Sequence, residues 1–351
     1  GKGGEEVDFM MGRMLSIYFE APDLYRVMKT DAPWQFHSMN PDGRASIVAL
    51  DGKGRFLTWA KIEAGQNTET IDPKLYITHV IGEEIPIKII SSLPWQAGLS
   101  LVADSYQVGR ILLAGDAVHL FTPTGGFGMN TGVGDAENIG WKLAAWYQGW
   151  SGKKLIASYE TERRPVAIRN LAQSYELAQD KASLSVPLGI EEKTEKGDKI
   201  RKKFGMEIYE ALKEEYFCMG IQLGARYDGS SLISTELTPP PVSSPFDYIP
   251  TSYPGGRAPH LWLKDGSAIF DHFGKYFTLL VLNGSKTSYT SLTEAAKKRG
   301  LPLTVFSNDS REVFDLYKAE LVIIRPDQYV AWRGNKLSGD PMLLIDMLIG
   351  N

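Results

Sequence analysis

Apolar and polar positions alternate through the first part of the chain in short runs, RMLSIYFE (13–20), PWQFHSM (33–39), ASIVAL (45–50) and GRFLTWAKI (54–62). A period of two predicts strands, and the intervening NPDG and DGKG are tight-turn sequences, so residues 13–62 are expected to form an antiparallel sheet. Further on, GRILLAG (109–115) places four apolar residues between glycines and predicts one short buried strand, followed by a glycine-rich loop. The period then changes. Val133, Ala136, Ile139, Leu143, Ala144 and Tyr147 recur at three- and four-residue spacing, which predicts an amphipathic helix over 132–149, ended by GWSG. A second helix is expected over 158–182, with Pro165 as a break or kink. The Lys- and Glu-rich stretch 191–216 predicts a solvated helix.

Residues 236–258, ELTPPPVSSPFDYIPTSYPGGRA, are rich in proline, serine and glycine and read as a surface crossing, with a boundary near 255. Beyond it come a strand in YFTLLVL and a helix in SLTEAAKKRG, whose Ser291 and Glu294 suit a capping box. A strand in LTVFS, paired strands in AELVIIRP and QYVAWRG, and a helix in MLLIDMLIG complete the pattern.

Composition narrows the function. With 351 residues, 43% of them hydrophobic, the chain can bury two or three cores. Its 38 basic and 42 acidic residues leave a formal net charge of -4, which gives no electrostatic footprint for nucleic acid. The single cysteine, Cys218, excludes an internal disulfide, a CxxC redox pair and a cysteine-rich zinc site, and no metal site is expected. No apolar run has the length of a membrane span and no secretory signal stands at the start, so a cytoplasmic protein is expected. The opening GKGGEEVDFMMGRMLSIYFE, without an initiator methionine, reads as the interior of a longer protein.

The candidate chemistry lies in 109–145. The strand ending at Gly115 delivers Asp116 at its carboxyl end, where ligands gather in open α/β sheets. The loop then enters a helix whose first turn holds Gly128, Met129 and Asn130. Unpaired N–H groups there favour a negative ligand atom, and Gly125, Gly126 and Gly128 allow close backbone approach. The Asp116 carboxylate can accept hydrogen bonds from sugar or polyol hydroxyls; its ordinary reading is a capping or turn aspartate. His119, between Val118 and Leu120, reads first as a packed residue, with proton transfer the one role open to it. His37 sits in an alternating strand. It faces either solvent or, together with Val48 and Leu50, a ligand.

In order and spacing, Gly115, Asp116, Ala117, His119, Pro123, Gly126, Gly128, Met129, Asn130, Asp135, Ala136 and Asn138 resemble the signature of the FAD-dependent aromatic hydroxylases, the family of para-hydroxybenzoate hydroxylase and phenol hydroxylase. SYETERRP, with Arg163 and Arg164, and RPDQYVAWRG resemble later parts of the same family. The resemblance implies an α/β (α+β) flavoprotein fold, truncated at its N-terminus, with a thioredoxin-like C-terminal domain. The family's GxGxxG fingerprint for the ADP half of FAD is not identifiable, so roughly the first third of such an enzyme is expected to lie outside this chain. The implied domains are a substrate-domain sheet (1–100), the later part of the FAD-binding domain (101–180), a helical and proline-rich segment (181–254) and the thioredoxin-like domain (255–351). That last domain lacks cysteine and is expected to serve structure or subunit contacts, such as those of a homodimer.

By the same resemblance, Gly115, Asp116, Pro123, Gly126, Gly128, Met129 and Asn130 would bind FAD, Asp116 at the ribityl chain and 128–130 at the N1 and C2 carbonyl edge of the ring. The Pro123 loop would lie between flavin and substrate, and His37, Val48 and Leu50 would line the substrate's other side. The implied reaction uses NAD(P)H and O2 to form an FAD C4a-hydroperoxide that hydroxylates a small phenolic substrate. The rival reading is a non-catalytic, degenerate flavin fold joined to a thioredoxin-like interaction module.

Overall fold

The computed structural model describes residues 13–28, 31–41, 43–62, 66–96, 100–282 and 289–351. The alternating runs are strands: β1 (Arg13–Glu20), β2 (Gln35–Asn40), β3 (Gly43–Ala49) and β4 (Arg55–Lys61), with a short helix α1 (Leu24–Met28) after β1. Helix α2 (Pro73–Ile81) and strand β5 (Lys88–Gln96) follow, and the five strands form one antiparallel sheet in the order β2-β3-β4-β1-β5. Strand β5, which the mixed pattern of its residues hides, lies at an edge, where Pro94 can sit without breaking an inner ladder.

The turns have side-chain causes. Asp51 accepts backbone N–H bonds from Lys53, Gly54 and Arg55 at 2.8–3.0 Å and so closes the DGKG turn. In NPDG, the Gly43 N–H donates to Asn40 Oδ1 at 2.9 Å, while Asp42 lies outside the described residues. Asp72 caps α2 by accepting from the N–H groups of Lys74 and Leu75, and Gly82 stops it in the left-handed region. One face of the sheet, with Leu15, Ile17, Phe19, Ala45, Ile47, Phe56 and Ala60, is buried with Leu24 of α1 and with Ile77 and Val80 of α2.

The expected buried strand at 109–115 is not what forms. Two-residue strands β6 (Leu101–Val102), β7 (Gln107–Val108), β8 (Ile111–Leu112) and β9 (His119–Leu120) pair as β6 with β9 and β7 with β8. Among the described residues β8 has no partner other than β7, so its apolar run finds no sheet to enter, and Ile111 is 68% exposed. Helix α3 (Phe127–Tyr147) follows, then α4 (Lys153–Ser183), which continues through Pro165 instead of ending there. Helices α5 (Glu195–Tyr216) and α6 (Met219–Leu223) complete this part. Among the described residues, no helix is long and apolar enough to cross a membrane.

The C-terminal region has strand β10 (Phe277–Leu282), helix α7 (Thr290–Arg299), strand β11 (Leu303–Asn308), helix α8 (Arg311–Tyr317), strands β12 (Leu321–Ile324) and β13 (Val330–Gly334), and helix α9 (Pro341–Ile349). Its sheet order is β11-β10-β12-β13, with β10 and β11 parallel and the other pairs antiparallel. Helix α8 is short and had no clear period. The capping box expected at Ser291 does not form, because the cap position of α7 is Tyr289, two residues earlier, and no side chain caps it. One apolar cluster joins Trp141, Ala145, Trp150, Leu155 and Val166 of the α3–α4 region to Phe277, Leu279, Ile323 and Ile345.

Candidate functional site

Helix α3 buries the face that its apolar period does not mark. Thr131, Asp135, Asn138 and Lys142, spaced at three and four residues, are buried together with Phe127, Trp141 and Ala145. Met129, Val133 and Tyr147 are 76%, 61% and 87% exposed, and Leu143 is exposed as well. The expected amphipathic helix exists, but most of its apolar stripe points away from the described core, while Ile139 packs against the cluster of Tyr106, Val118, Tyr159 and Ala167.

Polar side chains turned inward need partners, and all four have them, although Asn138 Oδ1 has none among the described residues. Asp135 accepts at one oxygen from Arg163 Nε (2.8 Å) and at the other from His119 Nε2 (2.8 Å) and the Gly115 N–H (3.1 Å). Burial alone would raise its carboxyl, but the His119 hydrogen bond and the Arg163 charge outweigh it and hold it below the ordinary range. Arg163 also donates to the Thr131 carbonyl at 3.0 Å. Behind the loop, Ser174 of α4 donates to the carbonyls of Thr122 and Thr124 at 3.2 and 3.1 Å. His119 is thus a packed residue, set edge-on against Phe121 and committed to Asp135.

What this scaffold holds out is exposed. Gly115–Ala117 is a 3-10 turn with Asp116 at its centre and exposed, so Asp116 is not the cap of a helix. Gly115 has φ +60 and backs directly onto Gly132, where an added Cβ would come within 3.2 Å of the Gly115 Cα. A Cβ at 132 would press on the turn and require it to shift slightly from α3. Pro123, Gly126, Met129 and Asn130 are exposed and Gly128 is half-buried. The cap residue of α3 is Gly126 in the left-handed region, with no side-chain cap, leaving the first-turn N–H groups to an outside partner. Turn, loop and helix start therefore form one lip, on which all seven expected flavin-contacting residues lie.

Cross-strand register pairs His37 with Ser46 and Gln35 with Val48, and His37 Nδ1 hydrogen-bonds Ser46 Oγ at 2.8 Å. By alternation these residues share a face with Leu57, Trp59, Ser16 and Tyr18, opposite the packed face of the sheet. Leu50 lies past the end of β3 and is 51% exposed. Burial, aided by Lys181, lowers the His37 ring to about 4, so it is neutral near pH 7. Leu177 of α4 shares a cluster with Phe127, and Lys181 lies one turn further on, about 6 Å along the axis. Arg44 donates to the carbonyls of Lys181 and Leu184. The end of α4 thereby ties the open sheet face to the Pro123 loop.

Nothing in the apolar pattern announced a further cluster. Glu162 of α4 accepts from Ser230 Oγ (2.6 Å), Asn138 Nδ2 (2.7 Å), Lys142 Nζ (2.7 Å) and two nitrogens of Arg325 (2.7 and 2.8 Å). Asp327 accepts from Arg325 Nε (3.0 Å), Arg325 Nη2 (2.7 Å), Trp141 Nε1 (3.1 Å) and Asn138 Nδ2 (3.2 Å). The signal was present in the polar residues at 131, 135, 138 and 142. Among the described residues, no group of three or more His, Cys, Asp or Glu could hold a metal.

Comparison with known proteins gives two family matches. The FAD binding domain family matches residues 4–174, and the aromatic-ring hydroxylase, C-terminal family matches residues 251–348. Over these stretches the chain belongs to the FAD binding domain family and to the aromatic-ring hydroxylase, C-terminal family. An FAD-dependent monooxygenase of Penicillium oxalicum, opdD, is 32% identical over 343 residues, covering 91% of this chain and 65% of that protein. Phenol 2-monooxygenase of Pseudomonas sp. (strain EST1001) is 26% identical over 314 residues, covering 78% of this chain and 51% of that protein. The solved structure of the rebeccamycin biosynthetic enzyme RebC with reduced flavin superposes with a TM-score of 0.86 at 33% identity, covering 96% of this chain and 63% of that one. The chain spans between half and two-thirds of the length of these relatives.

Proposed function

We propose that this chain supplies the ribityl and pyrimidine side of the flavin site, and the substrate side, of a monooxygenase that hydroxylates a phenolic aromatic ring with NAD(P)H and O2. The observation that carries the reading is the exposed lip. An uncapped helix start offers N–H donors, Asp116 offers a carboxylate, and the glycines at 126 and 128 leave room for a flat ring to approach. These donors fit FAD. Asp116 would hold ribityl hydroxyls, and the N–H groups of 128–130 would meet the carbonyl edge of the ring, where a reduced flavin carries negative charge. When bound and reduced, FAD supplies the activation of oxygen.

The chain's own residues do the rest. Asp135 and Ser174 hold the lip from behind, the Pro123 loop separates flavin from substrate, and the sheet face with His37, Val48 and Trp59 covers the aromatic ring. A neutral His37 can hydrogen-bond a phenolic hydroxyl, while Leu50 serves the rim. FAD titration, followed by the visible band of oxidised flavin, tests this. The full-length product is expected to take up flavin and to oxidise NAD(P)H faster with phenols present, and Asp116→Ala to weaken FAD binding about tenfold, the loss of one or two hydrogen bonds. A full-length protein that takes up no FAD overturns the reading.

A further inference from the structure

Arg325 and Asp327 stand in the C-terminal region, at the connection between β12 and β13, yet both are buried against α3 and α4. The Arg325 guanidinium lies between the Trp141 ring (5.2 Å) and the Tyr227 ring (5.1 Å), and its edge is divided between Glu162 and Asp327. With Lys142 the cluster holds two cations and two anions, so it is neutral as a unit and intolerant of losing one member. Burial pushes the Lys142 ammonium down to about 8 against the pull of Glu162. Burial opposes the Glu162 charge too, but Arg325 and Lys142 hold its carboxyl well below the ordinary range.

The contacts reach α3 at Asn138 and Trp141, which both donate to Asp327. One turn earlier on the same face is Asp135, which holds Gly115 and His119. One turn before that is Thr131, held through its carbonyl by Arg163 and through its hydroxyl by Asn170. A helix packed by apolar side chains can rotate a little at small cost, whereas a row of directional hydrogen bonds fixes its rotation. That rotation decides where the first-turn N–H groups point and where Gly115 sits against Gly132.

We infer that Arg325 and Asp327 are positioning residues of the flavin lip, setting the rotation of α3 from the C-terminal region through Asn138 and Trp141. The inference rests on the flavin reading above for its functional meaning, though not for its mechanical part. The test compares Asp327→Asn, which keeps the shape, and Arg325→Lys, which keeps the charge, with Val313→Ala. The last removes volume from a buried C-terminal cluster without contact to α3.

Hydrogen exchange is read in the flavin-free protein over residues 113–131, and FAD affinity and the shape of the flavin band are read afterwards. Both cluster variants are expected to speed exchange over 113–131 about tenfold, whereas Val313→Ala leaves it within about twofold at equal loss of melting temperature. FAD affinity is expected to fall about tenfold and the flavin band to change in the cluster variants alone. Exchange over 113–131 that matches the wild type in Asp327→Asn, or that rises equally in Val313→Ala, overturns the inference. If Arg325→Lys fails to fold, the isosteric Asp327→Asn still decides. A wild type that binds no FAD sinks the flavin reading instead, while the exchange comparison still tests the rotation.

Discussion

The two faces of α3 present a contrast that governs the whole site. The inner face carries a hydroxyl, a carboxylate, an amide and an ammonium, at Thr131, Asp135, Asn138 and Lys142, and is buried; the outer face carries Met129, Val133 and Tyr147 and is exposed. Apolar packing would hold this helix at less desolvation cost. Directional partners gain orientation instead, and orientation is what a lip of N–H donors requires. The contrast teaches that along α3 polar residues with partners are buried beside Phe127, Trp141 and Ala145, while several apolar ones are left outside.

Substitutions can break this contrast from either side. The largest effect is expected from Glu162→Ala, which strands Arg325 and Lys142 without their shared carboxylate and should cost about 3–5 kcal/mol, read from the midpoint of urea unfolding. Next is Asp135→Ala, which frees Gly115 and His119 and leaves Arg163 unpaired. A loss of about 3 kcal/mol is expected, together with faster proteolysis in the 113–123 loop. A result under about 0.5 kcal/mol for either would mean that the inner face is ordinary surface turned inward.

His37 offers a smaller and pH-dependent test. Its folded pKa of about 4 lies below the ordinary 6.5, so between these values the unfolded chain takes up a proton that the folded chain refuses. Stability is therefore lost as pH falls from 6.5 towards 4. His37→Gln should remove about 1–2 kcal/mol of that slope, allowing for the ring's partial exposure, as measured by paired unfolding curves at the two ends of the window. The smallest effect is expected on the outer face, where Val133→Thr and Met129→Ser should each shift stability by less than about 0.5 kcal/mol. A larger loss there would show that the outer stripe is packed in solution.

Much of the fold was legible because the relevant signals are local. Period-two runs gave β1 to β4, Asp51 and Asn40 act within their own turns, and the C-terminal strands and helices follow short apolar runs between glycines and prolines. Strand β5 and helix α8 were missed, since neither has a clean period. GRILLAG misled because four apolar residues in a row state a wish for burial without supplying the neighbouring strands. Pro165 does not end α4, so of the break and the kink it suggested the break did not occur. The lip was legible as a motif, since Asp116 and Gly126 to Asn130 lie close in sequence. What stands behind it was not. Glu162 and Arg325 meet across 163 positions, and only the folded chain shows that the polar residues of α3 answer them.

That distance also has a meaning in time. Glu162 leaves the ribosome 163 residues before the arginine that neutralises it, an interval of roughly 8–33 s at ordinary elongation rates. Until then Glu162 has Lys142, Asn138 and Ser230 as its partners, but not the bidentate arginine. The lip should therefore acquire its final geometry only once the connection between β12 and β13 has been made, with that connection acting as the latch.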